Sequence, residues 1–235
     1  YATLPAKGME EIPKQMASRL PPNSIVCNQP VVSVTADQVE LITGEWVKAK
    51  SIVVATDAPA AAGLLPASTT LGPNQTDGGS PFPIKGQGVT CLYFACEKPP
   101  VNKPILILNG EGRAGGPINN IAIPTNVSSA YGVSGQSLIS VTVLQDQANS
   151  ADLLVQVQQQ LGDWFGGVVK QWKHLKTYVI PYSLPNQFFP ALAQPTRPIQ
   201  TTDGIFVCGD HRDNASINGA MDSGRRTAAA IQQNR

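Results

Sequence analysis

The stretch Gly204-Ile-Phe-Val-Cys-Gly-Asp210, followed by Ala215-Ser-Ile-Asn-Gly-Ala220 and Ser223-Gly-Arg-Arg226, decides the fold. Its apolar run has no alternation, which is how a strand buried on both faces of an α/β sheet reads. A glycine and a carboxylate end that strand. The helix that follows carries Ile217, Ala220, Met221, Gly224, Ala228 and Ile231 on one face, the face expected to pack. A strand that stops beside a helix start offers a polar ligand a carboxylate for hydroxyl groups. It also offers free backbone N–H groups and the positive end of the helix dipole for electron-rich oxygens. Gly219, Ala220 and Gly224 keep the helix thin, so a flat ring can approach it.

Working outward, Ser51-Ile-Val-Val-Ala-Thr56 is a second fully apolar strand, ending at Asp57 and followed by an Ala-rich helix over 58–65. Short β-branched segments at 24–27, 31–34, 38–42 and 46–47 read as a hairpin or meander. Before them, Met9, Ile12, Met16 and Leu20 are spaced for one amphipathic helix over 8–20, stopped by Pro21-Pro22. Between two Pro-rich crossings (66–83 and 185–198) lie strands at 89–95, 105–108, 118–123, 138–144 and 174–182. One helix interrupts them, with Leu153, Leu154, Val157, Leu161, Trp164 and Phe165 at helical steps. The expected fold is therefore α/β plus α+β. A discontinuous domain (1–65 and 200–235) carries an inserted, mainly antiparallel domain (66–199), and such a layout makes a cleft.

Composition narrows the function classes. The chain has 235 residues, 42% hydrophobic and 14% charged, enough to bury a real core. Lys plus Arg (17) nearly cancels Asp plus Glu (16), so no general field attracts nucleic acid or an anionic membrane. No apolar run reaches the roughly 20 residues of a membrane span. Cys27, Cys91, Cys96 and Cys208 sit in apolar runs and read as reduced, buried thiols, which accords with a reducing compartment, cytoplasmic or plastid. Cys91 and Cys96 fall on opposite strand faces, so a shared metal is not expected there. Tyr1-Ala-Thr-Leu-Pro has neither an initiator Met nor a signal peptide, so the chain reads as a piece of a longer protein.

One literal GxGxxG occurs at Gly110, Gly112 and Gly115. A dinucleotide loop needs its third glycine inside an opening helix and an acid about 20 positions on. Gly116-Pro117 breaks any such helix, and no Asp or Glu follows Glu111 before Asp146. The motif reads as a Gly-rich turn between strands.

Residues 204–230 resemble the C-terminal flavin signature of the FAD-dependent amine oxidase superfamily, which includes protoporphyrinogen oxidases and phytoene desaturase-type enzymes. Leu4-Pro-Ala-Lys-Gly-Met9, Pro30-Val-Val-Ser-Val34 and Ser51-Ile-Val-Val-Ala-Thr56 are similar to the same family's adenine-side and diphosphate-side segments. The resemblance implies an FAD-dependent oxidoreductase with an incomplete glutathione reductase-like FAD-binding domain at 1–65 and 200–235, whose GxGxxG half is missing, and makes the insert at 66–199 its substrate-binding domain. It places Val31 at the adenine, Ala55 and Thr56 near the diphosphate, and Gly209 and Asp210 at the ribityl and phosphate region. Ser216, Ile217 and Asn218 fall at the pyrimidine edge of the flavin, and Ala220 leaves room for the ring. His211 and Arg212 read as exposed loop residues unless the cleft takes them up.

The departures from that family narrow the chemistry. Thr90 stands where monoamine- and polyamine-type oxidases carry a lysine near the flavin, and Ser216 stands where they carry a cage tyrosine. The expectation is hydride transfer from a small apolar organic substrate, desaturase- or protoporphyrinogen oxidase-like, with no obligatory protein base. The alternatives are a non-catalytic binding domain derived from such an enzyme, and a true amine oxidase relying on Lys85. The expected partners are the missing N-terminal half of the same protein, a second copy of the chain, or a peripheral membrane surface covering the apolar face left open. No nucleic-acid partner is expected.

Overall fold

The structure is a computed structural model that describes residues 4–66, 69, 86–144, 152–186, 188 and 195–234. Most of the first Pro-rich crossing, half of the second, Lys85 and Asp146 lie outside the described residues. In chain order the elements are α1 (Glu11–Ala17), β1 (Val31–Val34), β2 (Gln38–Leu41), β3 (Trp46–Lys48), β4 (Val53–Val54), α2 (Ala58–Leu64) and β5 (Gly86–Cys96). Then follow β6 (Leu106–Leu108), β7 (Ile118–Ala122), β8 (Ser137–Leu144), α3 (Leu153–Phe165), β9 (Lys173–Pro185), β10 (Phe206–Val207) and α4 (Ile217–Gln233). No helix among the described residues is long and apolar enough to cross a membrane.

The chain divides into two units, 1–25 with 88–181, and 26–87 with 182–235. The second unit is thus discontinuous in sequence, with the first unit's main segment between its parts. The boundaries fall at 25/26, 87/88 and 181/182, where the sequence reading puts 65/66 and 199/200.

The first unit is built on a five-stranded sheet in the order β6-β7-β8-β5-β9, antiparallel across the β6–β7, β7–β8 and β8–β5 pairs. Strand alternation sends Leu92, Phe94, Ile139, Val141 and Val143 to one face, where Leu153, Val157 and Leu161 of α3 cover them. Trp172 closes this core, its ring 6.4 Å from Phe94 and 6.0 Å from Phe165. Leu161 is fully buried at the centre. Leu161→Ala is expected to destabilise this unit by about 2–5 kcal/mol, read as a lowered urea midpoint at unchanged slope.

The glycine-rich segment is a structural turn, as its proline implied. Gly112–Gly115 form a 3₁₀ turn inside the antiparallel β6–β7 connection. Asn109 Nδ2 donates to the carbonyls of Gly112 and Ile118 (both 2.8 Å), and buried Gln160 of α3 accepts from Ile118 N at 2.9 Å. Asn109 and Gln160 thus hold the turn, and a strand rather than an α-helix follows it.

In the second unit β1-β2-β3 form an antiparallel sheet, while β4 and β10 pair in parallel, Phe206 with Val53 and Val207 with Val54. Val34, Ile52, Val54, Ala58, Ala61, Ile205 and Val207 make its core. The pairing of the two apolar runs fulfils their lack of alternation only in part, because Val53 stays 41% exposed. Two parallel strands alone leave a face uncovered.

Three local readings need correction. The helix expected over 8–20 forms only at Glu11–Ala17 and buries no residue, leaving Met9, Met16 and Leu20 exposed. Pro13 lies in its first turn, where a missing N–H costs nothing, so it is the lack of a packing partner that keeps this helix short. Residues 24–27 find no partner strand and are irregular, and Cys27 is exposed rather than buried. Finally α4 buries Gly219, Ser223 and Thr227, while Ile217 and Met221 of the expected packing face are 51% and 49% exposed.

Candidate functional site

The two parallel strands end side by side. β4 runs into Ala55, Thr56 and Asp57, and β10 into Cys208, Gly209 and Asp210, with the ladder continued by Phe206 N to Ile52 O (2.9 Å) and Cys208 N to Val54 O (3.0 Å). The carboxyl ends of parallel strands are where open α/β sheets receive ligands, because the loops there diverge and helix starts converge.

Asp57 caps α2, accepting from Ala60 N at 2.9 Å. Val31 of β1 joins Ala55, Thr56, Ala60 and Gly63 around one cavity of about 650 Å³ floored by the valines of β1 and β4. The three adenine- and diphosphate-side candidates therefore share a cavity. Gly209, Asp210, Ser216, Ile217, Asn218 and Ala220 lie in the turn after β10 and the first turn of α4.

That turn is held by two serine side chains, Ser223 and Ser216. Buried Ser223 Oγ accepts from Gly209 N and lies 2.9 Å from Gly209 O and 2.8 Å from Ala220 O, so one hydroxyl pins the strand end to the helix. Gly209 has φ +149°, and a Cβ there would fall 2.6 Å from the His211 ring, so glycine alone fits. Ser216 caps α4, its Oγ accepting from Gly219 N (3.0 Å) and donating to Asn214 Oδ1, while its carbonyl takes Ala220 N. The amides of Ile217 and Asn218 are then the ones that point out of the helix start.

His211 and Arg212, expected in an exposed loop, are each 2% exposed. Arg212 Nε and an Nη donate to Pro198 O, and Arg226 donates to the carbonyls of Arg197 and Arg212 and pairs with Asp213 at 3.1 Å. These arginines thus fasten the loop from behind. Burial, with Arg197 and Arg226 nearby, lowers Arg212 to about 9, so it keeps its proton at neutral pH.

Burial and like charge shift the titratable groups of this cluster. Burial raises the Asp210 pKa, with Asp57 adding to the rise, against backbone hydrogen bonds from His211 and from its own amide. Tyr182 is pushed up to about 12, first by burial and then by Asp210 and Asp57. Asp57, Tyr182 and Arg197 come from distant parts of the chain.

His211 is lowered to about 4 by burial and by Arg212 and Arg197, against Asp57. It is therefore neutral at pH 7, and its Nδ1, 3.9 Å from Asp210 Oδ1, makes no ion pair there. Between pH 4 and the unfolded value near 6.5 the unfolded chain binds this proton and the folded chain does not. Stability should therefore fall as pH drops through that window, by up to about 3 kcal/mol, and level off below it. Asp210, with its raised pKa, opposes the trend at the acid end. Urea melts from pH 4 to 7 check this, and His211→Gln should flatten the slope.

The chain matches the model of the flavin-containing amine oxidoreductases over residues 2–232. It belongs to that family. No curated protein matches it in sequence. Among solved structures it is similar to reduced UDP-galactopyranose mutase, with TM-score 0.75, 11% identity, and coverage of 99% of this chain and 53% of that one. It is also similar to putrescine oxidase bound to putrescine (0.61, 14%, 96% and 53%). A third likeness is to an oxidoreductase from Methanosarcina mazei (0.58, 13%, 86% and 49%). At these identities the likeness is one of fold, mixed α/β with antiparallel sheets. The chain spans about half the length of each of these structures.

Thr90 is 1% exposed and sits opposite Val143 on the α3 side of the sheet. Its side chain faces the first unit's core, so whatever lines the other face of β5 must come from its neighbours Cys91 and Tyr93.

Proposed function

We propose that this chain carries the flavin-facing part of an FAD-dependent oxidoreductase that takes a hydride from a small apolar organic substrate, as desaturases and protoporphyrinogen oxidases do. The observation that carries the reading is the alignment of two parallel strand ends, at Asp57 and Asp210, with the capped start of α4. The residues present fit the cofactor. Asp210 is a half-buried carboxylate, its pKa raised first by burial, that ribityl hydroxyls could reach as donors, and the Ile217 and Asn218 amides stand at a helix start.

In this reading Val31, Ala55 and Thr56 hold the adenosine and diphosphate end. Gly209 and Asp210 hold the ribityl chain, and Ser216, Ile217, Asn218 and Ala220 border the pyrimidine edge. When bound, FAD supplies the two-electron acceptor. The Ile217 and Asn218 amides, aided by the α4 dipole, stabilise negative charge developing at that edge. The substrate gives up a hydride and releases a proton to water, so no protein base is required.

A glycine-rich strand, loop and helix from another part of the same protein completes the diphosphate site and covers Val53. The protein works on small molecules in a reducing compartment and has no nucleic-acid partner. The test is to produce the chain together with the coding sequence contiguous with it. A yellow, FAD-containing protein supports the reading, and a folded colourless one refutes it in favour of a cofactor-free binding domain.

A further inference from the structure

We propose that Lys176 sets the charge preference of a ligand pocket on the outer face of the five-stranded sheet, so that the pocket takes an apolar ring bearing an anionic group and turns cationic amines away. While Leu92, Phe94, Ile139 and Val141 face α3, their neighbours on β5, β8 and β9 face outward around a cavity of about 480 Å³. Cys91, Tyr93, Leu138, Lys176, Tyr178 and Ile180 line it, and among the described residues no carboxylate does. The size suits a ligand of two to four rings.

The aromatic geometry decides the charge. Tyr93 and Tyr178 meet edge to face, centroids 5.8 Å apart at 86°. Such a pair is where a substrate ammonium would seat by cation–π attraction. Here the protein's own ammonium holds that place, with Lys176 Nζ 4.9 Å from the Tyr178 centroid. A second cation meets like charge with no acid to offset it. An anion instead receives charge-assisted hydrogen bonds from the same ammonium, while Leu138, Ile180 and the tyrosine rings cover its apolar body. The assignment rests on the oxidoreductase reading only in calling the occupant a substrate; the pocket's preference stands on this face alone.

Half-buried Cys91 reports occupancy, and exposed Cys27, in the other unit, serves as reference. Alkylation by iodoacetamide would be followed peptide by peptide by mass spectrometry, with anilinonaphthalenesulfonate, neutral phenylnaphthylamine or naphthylmethylammonium present. The sulfonate is expected to slow Cys91 alkylation at about ten-fold lower concentration than the neutral probe. Cys27 should be unaffected, and the ammonium should give no protection. Lys176→Met should erase the sulfonate's advantage and keep protection by the neutral probe, and Lys176→Glu should favour the ammonium. Lys176 is exposed, so neither change threatens folding. Absence of protection by any probe, or a sulfonate preference that survives Lys176→Met, overturns the proposal. FAD content, measured on the protein produced with its contiguous sequence, separates the two claims. Protection without flavin sinks the flavin reading and upholds the pocket, whereas flavin without protection sinks the pocket alone.

Discussion

Gly219→Ala is expected to destabilise the second unit by about 2–4 kcal/mol and to strip flavin from the completed protein, although alanine is ordinarily the better helix former by about 1 kcal/mol. The reason is local. A Cβ on Gly219 would lie 2.0 Å from Asn214 O and 2.9 Å from its carbonyl carbon, and this is backbone that cannot rotate away. That carbonyl also accepts from Ser216 N at 2.8 Å, so moving it disturbs the residue that caps α4. The helix start would shift, and with it the Ile217 and Asn218 amides. Gly224, five residues on in the same helix, has nothing within 4 Å of a built Cβ. Gly224→Ala should therefore stabilise, by about 0.5–1 kcal/mol. Opposite signs for the two substitutions in parallel melts are the expected result. Equal effects would show that the approach of Asn214 to the helix is not what fixes the turn.

Ser223→Ala is the second large effect. Ser223 is fully buried and its hydroxyl serves Gly209 N and lies within bonding distance of Gly209 O and Ala220 O. Its loss leaves the Gly209 N–H without that acceptor, a cost of about 1–3 kcal/mol. Gly209 precedes Asp210, so the carboxylate loses its anchor as well. Flavin affinity of the completed protein should drop by about ten-fold or more, while Thr227→Val, one turn further from the strand end, should cost stability and leave affinity nearly unchanged. Equilibrium release of FAD, followed by its recovered fluorescence, measures both. An affinity unmoved by Ser223→Ala would detach the strand–helix clamp from cofactor binding.

These residues also show how far the sequence was legible. α3 was read with its true ends because Leu153, Val157 and Leu161 carry a strong apolar period against a sheet. α4 was read in extent but not in facing. Its apolar residues suggested a buried stripe, yet Ser223 and Thr227 lie inward because each hydroxyl has a backbone acceptor, Thr227 to Ser223 O at 2.9 Å. A Ser two helical turns after the Ser216 cap was the available signal. Gly209 and Asp210 were legible from a strand ending in glycine and acid, and the same logic applied to β4 points to Asp57. Tyr182 and Arg197 were not, since only the tertiary fold brings them to the cluster. Burial of His211 and Arg212 was hidden for a similar reason, because the carbonyls that fasten the loop belong to Arg197 and Pro198.

The central claim is that the paired strand ends and the α4 start form one side of an FAD site. Its most direct test is the flavin stoichiometry of the protein produced with its contiguous coding sequence, read from the visible spectrum and from FAD released on denaturation. The account predicts a yellow protein with about one FAD per chain, and loss of that FAD with Gly219→Ala. A well-folded, colourless protein that takes up no added FAD would contradict it.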